Sequence, residues 1–411
     1  MLRCCCGILL SIGVFLGQVW SSEWLKPNFH GFISQTFLKT TKRDFLIKDS
    51  SRGSFQYSEM GLNISGAPEA RYRYSLQTLF REFGEEGDFE PTLDFGFFDA
   101  RVTEQFGVRV GKVRMPLGSQ NEFRDVDPGR ITLLPQQSVY PESFRPLMIS
   151  VLGLDVYGHK ELSGFGEANV RLFGGSIGIR DDFFFTQRIR SSFNSPNTEI
   201  DGRRVGGAWL GWESPDGNFL AHASFALMSG SISLETSDMF SGNLAVAVPV
   251  AMDKAFSLDV ATYIYGFEYR RGDWCLSAEY NHFQPSTKYS EELKNQVAGV
   301  IGAPFPLGDE VVNGSDDSYA WYLELTYDHP GPLGGAISYS DYISNKARPS
   351  SDPSNHREAI TFSLRYDVSE HLIAKAEFHR FSGRAAFKTF ATNNNSDENW
   401  TLSAFRMSYS F

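Results

Sequence analysis

The stretch SYAWYLELTYD, residues 318–328, decides the fold. Tyr319, Trp321, Leu323, Leu325 and Tyr327 fall on one face of an extended strand, and Ala320, Tyr322, Glu324 and Thr326 on the other. A period of two predicts a β-strand with an oily face and a polar one. The oily face is aliphatic in its middle and aromatic at both ends. Eight steps of about 3.3 Å give roughly 26 Å of strand. Tilted by about 40°, that is roughly 20 Å of height, close to the apolar band and aromatic girdles of a membrane-spanning barrel. A soluble sandwich has no reason to sort its rings to the ends of the oily face.

The pattern recurs along the chain. Alternation predicts strands at 28–40, 54–65, 70–83, 92–102, 106–114, 150–162, 166–174, 202–213, 218–229, 257–270, 274–284, 318–328, 335–343, 358–367, 371–382 and 399–411. Sixteen is an even number, as single-chain bacterial barrels require. Links after even strands are tight, such as TEQ, SGF, RGD and VSE, while links after odd strands are mostly long. Short turns on one rim and long loops on the other predict an all-β, 16-stranded antiparallel transmembrane barrel. The final residues, SAFRMSYSF (403–411), put Phe405, Met407, Tyr409 and Phe411 on one face, so the last strand is expected to close the ring against the first.

The 411 residues carry 38 Lys and Arg against 49 Asp and Glu, a net charge of −11, which argues against nucleic acid as a partner. Arg3, the apolar run GILLSIGVFLGQVW, and Val19 and Ser21 before a cleavage point read as a signal peptide over 1–21, leaving 22–411 as the barrel. Three of the four cysteines lie in that segment, so only Cys275 remains and no internal disulfide is possible. No later run approaches 18 apolar residues, so crossing by helices is excluded. An exported chain of this pattern is expected in a bacterial outer membrane, in contact with its lipid.

Charge on a lipid-facing surface costs about 2–4 kcal/mol for Arg or Lys at mid-bilayer, so the charged residues of clean strands are expected inside. These are Arg71, Arg73, Arg81, Arg109, Asp155, Arg171, Glu268, Glu324, Arg365, Lys375 and Arg406. They predict a wet, mixed-charge lumen, and sixteen strands are wide enough to leave one. The link 115–149 holds five prolines and many apolar residues without a strand-like stretch. A long, stiff, oily loop is expected to fold inward against the wall and narrow the pore. Glu122, Arg124, Asp125, Asp127, Arg130, Glu142 and Arg145 would then lie nearest the solute path, where facing charges select by sign.

The segment RVGKVRMPLG…FRDVDPGR…LLPQQSVY…FR…GLDVYG, residues 109–158, with HGFISQTFL (30–38) and FQYSEMGLNIS (55–65), resembles Gram-negative outer-membrane porins of the phosphate-selective O/P family. Gly111, Pro116 and Gly118 match its G-x-x-x-x-P-x-G stretch, and Arg145 its arginine before the next strand. The resemblance covers residues 28–160. It implies a 16-stranded diffusion channel, a homotrimer, with an inward third loop. The aromatic end is similar to the C-terminal signal by which the barrel-assembly machinery recognises such chains. The mixed inner charge departs from that family's dense Arg and Lys ladder, so the resemblance carries over the pore and not the substrate.

Other chemistry finds little footing. GVRVGK (107–112) lacks the spacing and the Ser or Thr of a phosphate loop. His371 and His379 have no zinc spacing, so no metal or other cofactor is expected. The sequence therefore points to a non-enzymatic channel for passive diffusion of small hydrophilic solutes, with a mild anion preference from Arg71, Arg73, Arg81 and Arg109. The competing possibilities are a barrel hydrolase, for which His222 and Ser224 share a strand face, and a dedicated ligand-uptake barrel. An energy-coupled version of the latter would need an N-terminal plug for which a first strand near residue 28 leaves no room.

Overall fold

The computed structural model describes residues 27–180, 182–193, 195, 198–239, 248–306, 310–312, 317–386, 390 and 396–411; the expected signal peptide lies outside them. The strands are β1 (Asn28–Thr40), β2 (Ser54–Glu69), β3 (Tyr72–Phe83), β4 (Pro91–Arg101), β5 (Phe106–Arg114), β6 (Ser150–Glu161), β7 (Glu167–Ser176) and β8 (Glu199–Glu213). They continue as β9 (Phe219–Met239), β10 (Val248–Arg271), β11 (Trp274–Tyr289), β12 (Ser318–Asp328), β13 (Leu333–Ile343), β14 (His356–Asp367), β15 (Leu372–Gly383) and β16 (Asn399–Ser410). Each runs antiparallel to its neighbours, and β1 pairs with both β2 and β16, so the sheet closes on itself. A three-residue strand, Glu310–Val312, adds to the edge of β11.

The two faces separate as the alternation predicts. On β12, Trp321, Leu323 and Leu325 are exposed while Ala320, Tyr322 and Glu324 are buried. On β16, Phe405, Met407 and Tyr409 are exposed, with Leu402, Ala404, Arg406 and Ser408 buried behind them. Large apolar side chains turned outward all round a closed ring need a hydrocarbon solvent. The seam is completed by the last residue: Phe411 N–H donates to the Gly31 carbonyl and Gly31 N–H to the Phe411 carbonyl, both at 3.0 Å.

Two departures from the expected segments have physical causes. β9 and β10 are 21 and 24 residues long, about twice what a tilted span needs, so most of the expected 230–256 loop is strand. Among the described residues, the extra hairpin length has no oily outer face, its exposed or half-exposed positions including Ser231, Ser233, Glu235, Ala251 and Asp253. It buries Ile232, Leu234 and Phe256 against Leu293 and Val297 of a helix, Glu291–Ile301, within the expected 285–317 loop. Ser290 caps that helix by accepting from Leu293 N–H at 3.2 Å, and Gly302 ends it in the left-handed region. A second helix, Phe184–Phe193, lies within the expected 175–201 loop.

The apolar cores sit inside the ring because loops enter it. Met115, Leu117, Val139 and Tyr140 of the β5–β6 loop join the inner faces of β5–β12. Leu133 and Leu134 join Phe45, Leu46 and Ile47 of the β1–β2 loop against Phe381, Trp400 and Leu402. Filling by the β1–β2 loop was not expected from the sequence.

Candidate functional site

The 115–149 loop leaves β5 and returns to β6 at one point, where Met115 N–H donates to the Ile149 carbonyl at 3.1 Å. Asn121 holds this neck, donating from Nδ2 to the Met115 carbonyl at 2.9 Å and the Met148 carbonyl at 2.6 Å. From there the loop reaches inward side chains of strands across the ring. Gly118 N–H donates to Ser224 Oγ on β9 at 2.9 Å, and Ser119 N–H to Glu279 on β11 at 2.7 Å. Tyr140 Oη donates to Glu279 Oε2 at 2.6 Å, and Tyr322 Oη to the same oxygen at 2.7 Å. Gln136 donates to Glu324 on β12 and, at 2.9 Å, to Ser338 on β13.

The far side is pinned as firmly. Leu133 and Leu134 N–H groups donate to the two oxygens of Glu377 on β15 at 2.6 and 3.3 Å. Lys375 Nζ donates to the Asp127 carbonyl at 2.7 Å and carboxylate at 3.0 Å, and to the Thr132 carbonyl at 3.2 Å. Arg365 Nη1 on β14 donates to the Pro128 and Arg130 carbonyls. These pairings favour one loop path over its alternatives, although Gln120 Oε1, Arg124 Nε, Ser138 Oγ and two nitrogens of Arg130 are buried without a hydrogen-bond partner.

Near the neck the charges form an alternating network. Arg145 bonds Asp125 at 2.8 Å and also Asp94. Arg114 meets Asp94 at 2.9 Å, and Arg124 meets Glu142 at 3.0 Å. Arg81 bridges Glu142 and Glu59. Burial alone would raise the Glu142 carboxyl, but Arg124 and Arg81 outweigh it and hold the group at about 2. Asp125 is likewise held well below the usual carboxylate range against burial, chiefly by Arg145. Asp127 is lowered by Lys375, Arg406 and Arg130 against the same opposing effect. Tyr140 is pushed up by burial and by Glu279.

Open space lies between the loop and the short-turn rim. Three recesses of about 400, 630 and 380 Å³ surround Phe123, whose ring contributes to all of them. Of the loop charges expected beside the solute path, Glu122, Asp125 and Arg130 border this space. Arg124, Asp127, Glu142 and Arg145 do not, and that expectation is corrected: they are buried in the ion pairs above because a pinned loop must neutralise its own charges. Among the wall residues, Arg109, Arg171, Glu268 and Glu324 border the recesses. Arg81, Asp155, Lys375 and Arg406 are covered, and Arg365 is tied to the loop and to Asp367 at 2.6 Å. Arg71 is not on a strand at all, since the β2–β3 turn takes it, and Arg73 is exposed at that rim.

The residues that hold the loop were only half legible. Glu279 and Glu377 fall on the polar faces of alternating strands, but nothing in their spacing marks them as acceptors for backbone N–H groups of a loop more than a hundred residues away. Asp94 was missed because a bulge opposite Gln77 and Thr78 breaks the alternation there. The one signal for the β1–β2 loop was Phe45, Leu46 and Ile47 within an otherwise polar stretch. Among the described residues no three His, Cys, Asp or Glu side chains converge as a metal site. His222 Nε2 lies 3.3 Å from Glu279, and Ser224 Oγ is engaged by Gly118, so these two do not form a nucleophile–base pair.

No family model and no curated protein matches the sequence. Solved structures do match in fold. The chain is similar to an anion-selective porin from Comamonas acidovorans, with a TM-score of 0.56 at 12% identity over 94% of this chain and 99% of that one. It is also similar to in-vitro folded OmpT, an outer membrane protein of Vibrio cholerae, at 0.55 and 11% over 95% and 99%. A third is the outer membrane channel DcaP of Acinetobacter baumannii, at 0.52 and 11% over 94% and 97%. At such identities the likeness is one of fold.

Proposed function

We propose that the chain is an outer-membrane channel for the passive diffusion of small hydrophilic solutes. The observation that carries this is a closed ring, oily outside, whose interior holds open recesses beneath a loop pinned across it. Such a ring is stable only in lipid, and a polar interior within lipid serves passage. Purified protein in a planar bilayer is expected to give stepwise conductance. Absence of steps, with lipase activity in the same preparation, would overturn the proposal in favour of a barrel hydrolase. Against the hydrolase stands the lack of a hydrogen bond between His222 and Ser224. The hydrogen-bonded set Thr361–His379–Glu377 offers no alternative, since all three are buried and Leu133 and Leu134 N–H groups occupy the Glu377 carboxylate.

The finer expectation of mild anion preference is kept in altered form. Arg81 and Arg109 are engaged by carboxylates. Arg71 and Arg73 are exposed at the short-turn rim, with no ion pair among the described residues, and would supply a weak, salt-screened attraction there. A reversal potential in a salt gradient reads its sign. The proposal further includes export by residues 1–21, recognition of the C-terminal strand by the barrel-assembly machinery, a homotrimer and kinship with the O/P porins. It rests for these on the sequence features described first.

A further inference from the structure

The largest of the three recesses, about 630 Å³, falls within the size range of small-molecule sites and is walled by rings. The bulge at Asp94 lets Asp94 and Phe95 both turn inward, and Phe95 then stacks with Phe97 at 6.0 Å between centroids. Phe32 closes another side, lying over Gly61. From the loop, Phe123 projects into the same space with 59% of its surface exposed. Val126 beside it is also exposed, whereas Ile131, Leu133, Leu134 and Tyr140 of that loop are buried. A large ring held in water on a loop so firmly anchored is costly unless something covers it.

The polar surroundings define the occupant. Arg109 is paired with Asp99 at 3.4 Å and Asp155 at 3.2 Å, and Arg114 with Asp94 at 2.9 Å. Asp125 is paired with Arg145 at 2.8 Å, and Glu122 with Arg171. Each of these charges is paired, and the five acids outnumber the four arginines by one, so nothing here draws an anion. Cation–π faces are already occupied too, with Arg114 4.6 Å from the Phe95 ring and Arg109 5.6 Å from Phe97. The exposed Phe123 ring, beside charges that are all paired, suits a flat ring whose polar edge carries no net charge. We propose that this recess is a binding subsite for planar aromatic solutes without net charge, held between Phe123 and the Phe97 wall. The inference rests on the channel proposed above.

The test uses the full protein in planar bilayers with L-tryptophan, glycine and benzoate as probes. Tryptophan added on the short-turn side is expected to interrupt the current at concentrations where glycine does not. Phe123→Ala should raise the half-blocking concentration roughly tenfold, each variant being scaled to its own open current. Phe97→Leu should weaken the block in the same direction. Equal block in wild type and Phe123→Ala, or stronger block by benzoate than by tryptophan, overturns the subsite. Saturation transfer from detergent-solubilised protein to the tryptophan ring protons, lost in Phe123→Ala, decides it independently. Should there be no conductance at all, the channel fails while that signal still tests the subsite.

Discussion

Ser408, in the last strand, donates a 2.7 Å hydrogen bond to Asp127 of the β5–β6 loop, across 281 positions of sequence. Lys375 and Arg406 converge on the same carboxylate at 3.0 and 3.3 Å. The loop is therefore clamped on the wall opposite its neck. Removing the acid strands Lys375, which is almost fully buried. Asp127→Ala is expected to destabilise the barrel by about 3–5 kcal/mol, the usual cost of breaking one half of a buried ion pair. A lowered unfolding midpoint in a denaturant titration, with noisier single-channel current, checks it.

Acid should loosen the neck at a defined pH. Glu142 is held at about 2 in the fold, below its ordinary 4.5, and Asp125 is shifted in the same direction. A depressed carboxyl stabilises fully above its unfolded value and ceases to do so as pH falls through its folded one. Single-channel current is thus expected to stay quiet from neutral pH down to about 4.5, and to grow unsteady on further acidification toward about 2. A transition centred near neutrality would contradict this account of the ion pairs.

Gly118 cannot carry a side chain. Its φ is +63°, and a Cβ there would strike the Tyr140 hydroxyl and the Glu279 carboxylate. Gly118→Ala should cost about 1–3 kcal/mol through strain and should disturb the Glu279 contacts. Gly129→Ala meets nothing nearer than Val126 at 3.5 Å and is expected to stay within about 0.5 kcal/mol. Parallel unfolding titrations of the two variants separate local strain from a general intolerance of the loop.

The lipid face can be tested at a single step of β12. Leu323 is 43% exposed on the outer surface, and Leu323→Arg is expected to cost about 2–4 kcal/mol when refolded into vesicles. Thr326→Arg, facing a recess, should cost much less. Similar penalties at both sites would mean the faces have been assigned wrongly.

All sixteen strands were legible because lipid imposes a strict rule on every second residue, and β12 and β16 obey it throughout. The rule fails where lipid is absent. The outer arms of β9 and β10 pack on a helix instead, so their pattern carries no oily stripe. Asp94 hides in a bulge that breaks the phase. Within the loop, prolines and apolar residues signalled packing against a wall, but the partners Glu279, Glu377 and Lys375 are fixed by three-dimensional register alone. That is why Arg124 and Arg145, which look like gate charges in sequence, are fasteners in the fold.

The bonds between Gly31 and Phe411 carry a consequence for assembly. The two partners lie at opposite ends of the chain, so their pairing closes the longest loop in the molecule. Until it forms, β1 and β16 present bare edges able to recruit foreign strands. Losing the whole of β16 would leave every earlier hairpin intact yet produce an open, adhesive sheet in place of a ring.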